Sequence, residues 1–478
     1  MKRTHSDNPQ RNHNNHRWLL AALTLFWLVG CNHRVQDRSS SPSVRPELLE
    51  KFEKIRSLGL HQEKAHEFLR LVTSVGGRLT GSSQADRAVE LTARLMTELG
   101  FDRVWTEPVK VGHWVRGEKE LATIRSSKLG TQSLEICALG HSLGTAVEGL
   151  EAGLVEVRSF EELASLKDKI SGRIVFFNVP MNRTVLEPFA AYGQAASFRV
   201  HGASEAARYG ARAVLIRSMT FRLDHNPHTG LMEYDERQPR IPAAAISTAG
   251  AELLHSWLQV DPELKVWLRM NCRQEEPVTS ANVIGQLTGS EFPEEIILVG
   301  GHLDSWDLSP GAHDDAAGCA VAIEVLRLIK ETGLKPKRTI RAVLFMDEEF
   351  GGTGGRAYAA SDNRNGEKHL VAIEQDRGGA APLGLAFSLE NLLDRLKPLL
   401  YYLEPMGINW LRTGGGGVDI APLQSKGTIL GGLIPESQRY FDYHHGALDG
   451  PETVHPRELE LQAVILAIVI YFLAEEGV

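Results

Sequence analysis

Between residues 280 and 445 the chain repeats one arrangement, a short apolar run followed at once by histidines or acids. The run 295–301 leads into His302-Leu303-Asp304, and Gly311-Ala-His-Asp-Asp-Ala-Ala-Gly318 follows shortly after. The run 339–345 leads into Asp347-Glu348-Glu349, and 370–373 into Glu374-Gln375-Asp376. Near the C-terminus, Tyr443-His444-His445 precedes Asp449. Short continuous apolar runs alternating with helical periodicity are strands of a sheet covered on both faces. In the helix expected over 316–330, Glu324, Arg327 and Glu331 form one polar stripe opposite Val321, Val325, Leu328 and Ile329. The fold class is therefore α/β, a mixed, mostly parallel sheet with helices on both faces. The clusters lie at strand carboxyl ends, where such sheets place their sites.

The rest of the chain divides around this region. Residues 1–30 form an address. Lys2, Arg3, Arg11 and Arg17 stand against Asp7, and the run from Trp18 to Gly30 is too short to span a bilayer but suits the apolar part of a secretory signal. It ends Leu28-Val29-Gly30-Cys31, which resembles the bacterial lipobox, so Cys31 is the expected acylation site and the only membrane attachment is a lipid anchor. Asn32 then points to the outer membrane of a Gram-negative cell. Residues 31–47 are the tether, Ser/Pro-rich from Arg38 to Pro46.

A first catalytic part is expected over 48–150, helical to about residue 99 with a break at 76–81. The texture changes over 151–268, where runs such as 174–177 and 213–216 are separated by Gly, Asn and Pro, with a small-residue helix at 202–209; this reads as a β-rich insert. In it, His225 and His228 read as a solvated loop. The second catalytic part is 269–478, ending in a buried helix at 463–474, too short to cross a membrane. Cys137, Cys272 and Cys319 have no C-x-x-C spacing and read as buried small hydrophobes. A net charge of −8 excludes a broad basic surface for nucleic acid, and removing the basic leader makes the chain more acidic still.

One H-x-D triplet or one Glu pair is ordinary surface polarity; one such cluster per strand end is not. Imidazole and carboxylate are the ligands of hydrolytic zinc, and two metals about 3.5–4 Å apart need a carboxylate that bridges them. Five ligands suffice: one bridge and two more per metal, with a shared position left for water.

Residues 279–380 and 428–470 resemble the two-zinc aminopeptidase and glutamate carboxypeptidase family. Gly300-Gly-His-Leu-Asp-Ser-Trp-Asp307, Lys335-Pro-Lys-Arg-Thr-Ile-Arg341 and His113-Trp-Val-Arg-Gly117 extend the likeness over most of the chain. The resemblance implies a zinc exopeptidase fold, a protease-associated identity for the insert, two Zn2+ per chain, short peptide substrates and a possible homodimer. It assigns His302 and Asp376 to one zinc, Glu349 and His445 to the other, and Asp314 to the bridge. Asp304 would accept from the second nitrogen of His302. Glu348 would be the general base for attack by a bridging hydroxide. His445 rather than His444 is the ligand because relatives place it four residues before an acid, here Asp449. His444 then stands where many relatives carry an oxyanion-donating tyrosine.

The resemblance also implies a cis Asp314-Asp315 bond. Departures from the family pattern are Ala316-Ala317, Asp347, Gly450 and Arg377. Arg377 is expected either to meet a substrate carboxylate or to form an outward salt bridge. Gly414–Gly417 lacks the Gly-Lys-Ser/Thr of a phosphate loop and reads as a mobile rim of the cleft. Two other readings remain. A single-zinc acyltransferase of the glutaminyl cyclase type shares the fold, and a non-catalytic binding protein could keep it. The complete five-residue set favours the peptidase.

Overall fold

A computed structural model describes residues 44–478. The signal segment 1–30, Cys31 and most of the tether lie outside the described residues. One eight-stranded sheet runs in the order Arg103–Val115, Arg273–Leu287, Arg338–Phe345, Phe292–His302, Lys368–Glu374, Ile429–Pro435, Pro382–Phe387 and Trp410–Thr413. The four central strands are mutually parallel, and antiparallel pairs flank them on both sides. Ile296 to Val299 are at most 1% exposed, as both-face burial requires. Successive residues pack into different layers. Ile297 and Val299 face helices Ala317–Glu331 and Pro456–Glu476, whereas Leu298 faces the layer of Tyr358 and Ile420.

Helix Ala317–Glu331 is more deeply buried than its stripe suggests. Glu324 and Arg327 are 0% and 3% exposed, covered by helices Pro46–Gln62, Ala65–Thr73 and Pro456–Glu476. Of the expected polar stripe only Glu331 reaches solvent. The Arg327 guanidinium grips both oxygens of Glu324 and also reaches Gln62 and Glu331. Glu460 of the last helix faces the same pair, and burial followed by Glu324 pushes its carboxyl up to about 9. The last helix is longer than its apolar stretch because its first turns carry this polar contact.

A second eight-stranded sheet runs Gly130–Leu134, Leu121–Ser126, Lys265–Arg269, Leu150–Val157, Ile174–Phe177, Ala213–Arg217, Ala243–Ile246 and Ile136–Ala138. It corrects the expected insert boundary. Residues 121–138 pair within this sheet, so the insert begins near Leu121 rather than at 151. It leaves and rejoins the main sheet where Val115 pairs with Arg273, so both ends emerge side by side. It is also more than β-rich, since helices Pro188–Ala207 and Thr248–Val260 flank parallel strands. Helix Pro188–Ala207 is longer than the 202–209 segment expected and ends earlier. Cys137, Cys272 and Cys319 are buried and unbridged.

Removing one partner of a buried pair strands the other charge. Arg327→Met, which keeps the stem but abandons Glu324 beside Glu460, is expected to destabilise the fold by about 3–5 kcal/mol. Urea denaturation followed by circular dichroism measures it.

Candidate active site

Strand register gathers the clusters. His302 ends its strand opposite Phe345, and Gly300 lies opposite Glu374, so His302, the 347–349 turn and Asp376 emerge at one edge. The next strand in sequence, Arg338–Phe345, lies on one side of Phe292–His302 and the one after, Lys368–Glu374, on the other. Such a reversal opens a crevice beyond the strand ends. Asp314 enters it from the turn before helix Ala317–Glu331, where the Asp314-Asp315 bond is cis. Asp315 itself is fully buried and pins this turn, accepting from the His302 and Gly318 N–H groups. Asp449 accepts from the His313 and Asp314 N–H groups.

The side chains meet in two groups that share Asp314. His302 Nε2 lies 3.3 Å from Asp314 Oδ1 and 3.5 Å from Asp376 Oδ1. His445 Nε2 lies 3.3 Å from Asp314 Oδ2 and 3.1 Å from Glu349 Oε2. Ligand atoms about 2.0–2.1 Å from a tetrahedral zinc stand about 3.3–3.4 Å apart, close to these four separations, and the ligand atoms of His302, Asp314 and Glu349, of Asp314, His444 and His445, and of His302, Asp315 and Asp376 each gather within 4.8 Å of one another. Three acceptors there have no hydrogen-bond partner: Asp314 Oδ2, Glu349 Oε1 and Asp376 Oδ1. No lysine or arginine among the described residues forms an ion pair with any of these carboxylates. Buried carboxylates paired only with histidines fit a bound cation. Glu348 belongs to none of these clusters.

The tautomers also fit. His302 Nδ1 faces the Asp304 main-chain carbonyl at 3.1 Å, and His445 Nδ1 faces the Thr229 carbonyl at 3.3 Å. A proton on each Nδ1 leaves each Nε2 lone pair pointing at the carboxylates. Asp304 thus faces the second nitrogen of His302 through its carbonyl, while its carboxylate Oδ1 stays 3.8 Å from that nitrogen. The carboxylate instead accepts from Thr80 at 2.7 Å and from the N–H groups of Asp347, Glu348 and Glu349 at 2.8, 3.1 and 3.3 Å. It holds the whole Glu348-Glu349 turn, in which Asp347 adopts a positive φ of 76°.

Crowded carboxylates raise proton affinity. Burial, with Asp376 and Glu349 adding to it, pushes the Glu348 carboxyl well above its usual range, and Glu349 shifts the same way. Burial disfavours a charged His302, but Asp314 and Asp376 outweigh it and hold its pKa well above the imidazole value. Burial depresses His445 to about 3 and His444 well below its ordinary value. His444 stacks on His445 with centroids 3.6 Å apart, and its Nε2 is 3.7 Å from Asp314 Oδ2.

Several neighbours had no local signal in the sequence. His228, expected in a solvated loop, is 4% exposed and its Nδ1 lies 2.7 Å from the His444 carbonyl. Arg199, 8% exposed on the insert helix, places Nη1 3.4 Å from His445 Nδ1 and sits over the Tyr192 ring. It forms no ion pair among the described residues. Gly230, at φ 137°, makes room for it, since a Cβ there would meet the guanidinium at 2.3 Å. Trp306, inside the quoted motif, donates its indole N–H to Glu349 Oε2 at 2.6 Å. Arg377 forms no salt bridge among the described residues; it stacks 4.3 Å from the Phe189 ring. Gly417 packs against the Glu374 carboxylate, which accepts from the Asp419 and Ile420 N–H groups, so this end of the glycine run is held.

Residues 282–469 match the model of peptidase family M28. The chain is 35% identical to carboxypeptidase Q of Bos taurus and 34% to that of Homo sapiens, in each case over 87% of this chain and 86% of the relative. The crystal structure of a peptidase M28 precursor from Shewanella amazonensis, 33% identical, superposes with a TM-score of 0.85 over 90% of this chain and 98% of its own. A zinc aminopeptidase of Bacillus subtilis shares the fold at 20% identity, with a TM-score of 0.63 over 87% of this chain and 95% of its own. With the His and carboxylate cradle at its strand ends, the chain belongs to peptidase family M28 and is a zinc-dependent peptide hydrolase.

Proposed function

We propose that this protein is a dinuclear zinc exopeptidase acting on short peptides, dipeptides above all. The observation that carries the reading is Asp314, whose two oxygens each face a different histidine and carboxylate, His302 with Asp376 and His445 with Glu349. Those five residues would hold the ions. Bound zinc supplies Lewis-acid polarisation of the scissile carbonyl and lowers the pKa of water.

The chain's own groups do the rest. Glu348 is bound to neither cradle, only half-buried, and fixed through its N–H by Asp304. Its elevated proton affinity suits a base that takes the proton of the attacking water and passes it to the leaving nitrogen as the C–N bond breaks. His444, kept neutral by burial, is placed to donate to the oxygen that gains charge. Arg199 is a buried guanidinium with no carboxylate partner among the described residues, which supports recognition of a substrate carrying a free carboxylate. Phe189 and Tyr192 of the same insert helix stack with Tyr440 and Phe441 and wall the cleft. The position of residues 121–269 between paired main-sheet strands supports their reading as a protease-associated insert.

Export and lipid attachment at Cys31, with outer-membrane placement, complete the proposal. No helix among the described residues is long and apolar enough to cross a membrane.

Three outcomes test these points. Glu348→Gln should lower kcat on dipeptides by at least about 10²-fold while zinc content by atomic emission is unchanged; full activity in that variant would sink the base assignment. Arg199→Met should raise KM about 10- to 100-fold for dipeptides with a free C-terminal carboxylate and leave amidated ones unaffected in steady-state assays. Cys31→Ser should move the protein from the membrane pellet to the soluble fraction.

A further inference from the structure

The two cradles are held in place by different parts of the chain. His302 is oriented entirely from the main sheet and its own turns: its N–H goes to Asp315 and its Nδ1 to the Asp304 carbonyl. Asp376 follows the central strand Lys368–Glu374 directly. Nothing in residues 121–269 holds either ligand.

His445 is held differently. It lies in the irregular 443–446 turn with φ 60°, outside any helix or strand. Its carbonyl accepts from the Thr229 N–H at 3.0 Å, its Nδ1 faces the Thr229 carbonyl, and His228 donates to the carbonyl of His444 just before it. All three contacts come from one insert loop. That loop is tied back to the main body by Arg116, which grips both oxygens of Asp307, the Glu120 carboxylate and the Ala138 carbonyl, and reaches the Thr229 hydroxyl at 3.4 Å. The Glu349 N–H is held by Asp304 of the main body, but its carboxylate takes a bond from Trp306, whose ring packs on Gly140 of the insert so closely that a Cβ there would meet it at 2.2 Å.

We infer that the insert assembles the Glu349–His445 metal position, so that docking of residues 121–269 controls occupancy of that position and not of the His302–Asp376 one. The inference rests on the two-zinc reading above. An imidazole ligand binds well only when its far nitrogen and backbone fix the ring, and removing such a contact costs about 10–100-fold in metal affinity. His228 and Trp306 are positioning residues in this scheme, each acting through a ligand.

Zinc binding to the apo full-length protein, titrated against a competing chelator and counted by atomic emission, tests this without reference to activity. The wild type should bind two equivalents. His228→Phe should weaken one of them about 10–100-fold and leave the other unchanged. His228→Asn, whose amide N–H can reach the same carbonyl, should restore it. Trp306→Phe, which keeps an aromatic ring but loses the donor to Glu349, should reproduce the selective loss by a separate route. Urea melts of the apo proteins report folding alongside, and Trp306→Phe carries the test if His228→Phe does not fold. Two unchanged equivalents in the variants, or equal weakening of both, would overturn the inference alone. A single equivalent in the wild type would overturn the two-zinc reading and the inference with it.

Discussion

Crowded, buried negative charge at the end of a parallel sheet governs this structure. Asp304, Asp314, Asp315, Glu349 and Asp376 converge where Phe292–His302 and its neighbours stop, and no lysine or arginine among the described residues forms an ion pair with them. In a low-dielectric interior such a set persists only with protons or cations. Much of the surrounding architecture serves to keep these groups apart in a fixed arrangement. Asp315 and Asp449 together pin the turn that carries Asp314, and Asp304 pins the Glu348-Glu349 turn, each by accepting main-chain N–H groups rather than by meeting a cation.

That use of carboxylates as backbone clamps explains how a rigid site is built from loops. The Glu348-Glu349 turn has no regular secondary structure, yet three consecutive N–H groups converge on Asp304. The proposed base and a proposed ligand are thereby fixed by one side chain. The opposite wall has no such clamp of its own. There the 443–446 turn depends on the insert, through Thr229 and His228, and Arg199 reaches His445 from the same side. The insert is thus a wall of the site rather than an appendage.

The sequence made most of the main sheet legible because both-face burial writes itself as continuous apolar runs, and the strand ends follow from where those runs stop. It failed at Leu121–Ser126, an alternating strand that looks the same whichever sheet it joins, and so the insert was drawn thirty residues short. It failed at Glu324 and Arg327 because a helical stripe of opposite charges reads as solvated unless the helices that bury it are known. The H-x-D spacing leaves open whether the carbonyl or the carboxylate of Asp304 meets His302, and only the fold puts the carbonyl there.

The sequence by itself determined which residues could carry the chemistry. His302, Asp314, Glu348, Glu349, Asp376 and His445 are marked by residue type and by following apolar strands, both local properties. Only the tertiary structure decided how they are held. Contacts from Thr229 to His445, Trp306 to Glu349 and Arg199 into the crevice join residues with no shared periodicity. Such pairings exist only once two sheets have packed together and brought distant loops within hydrogen-bonding reach.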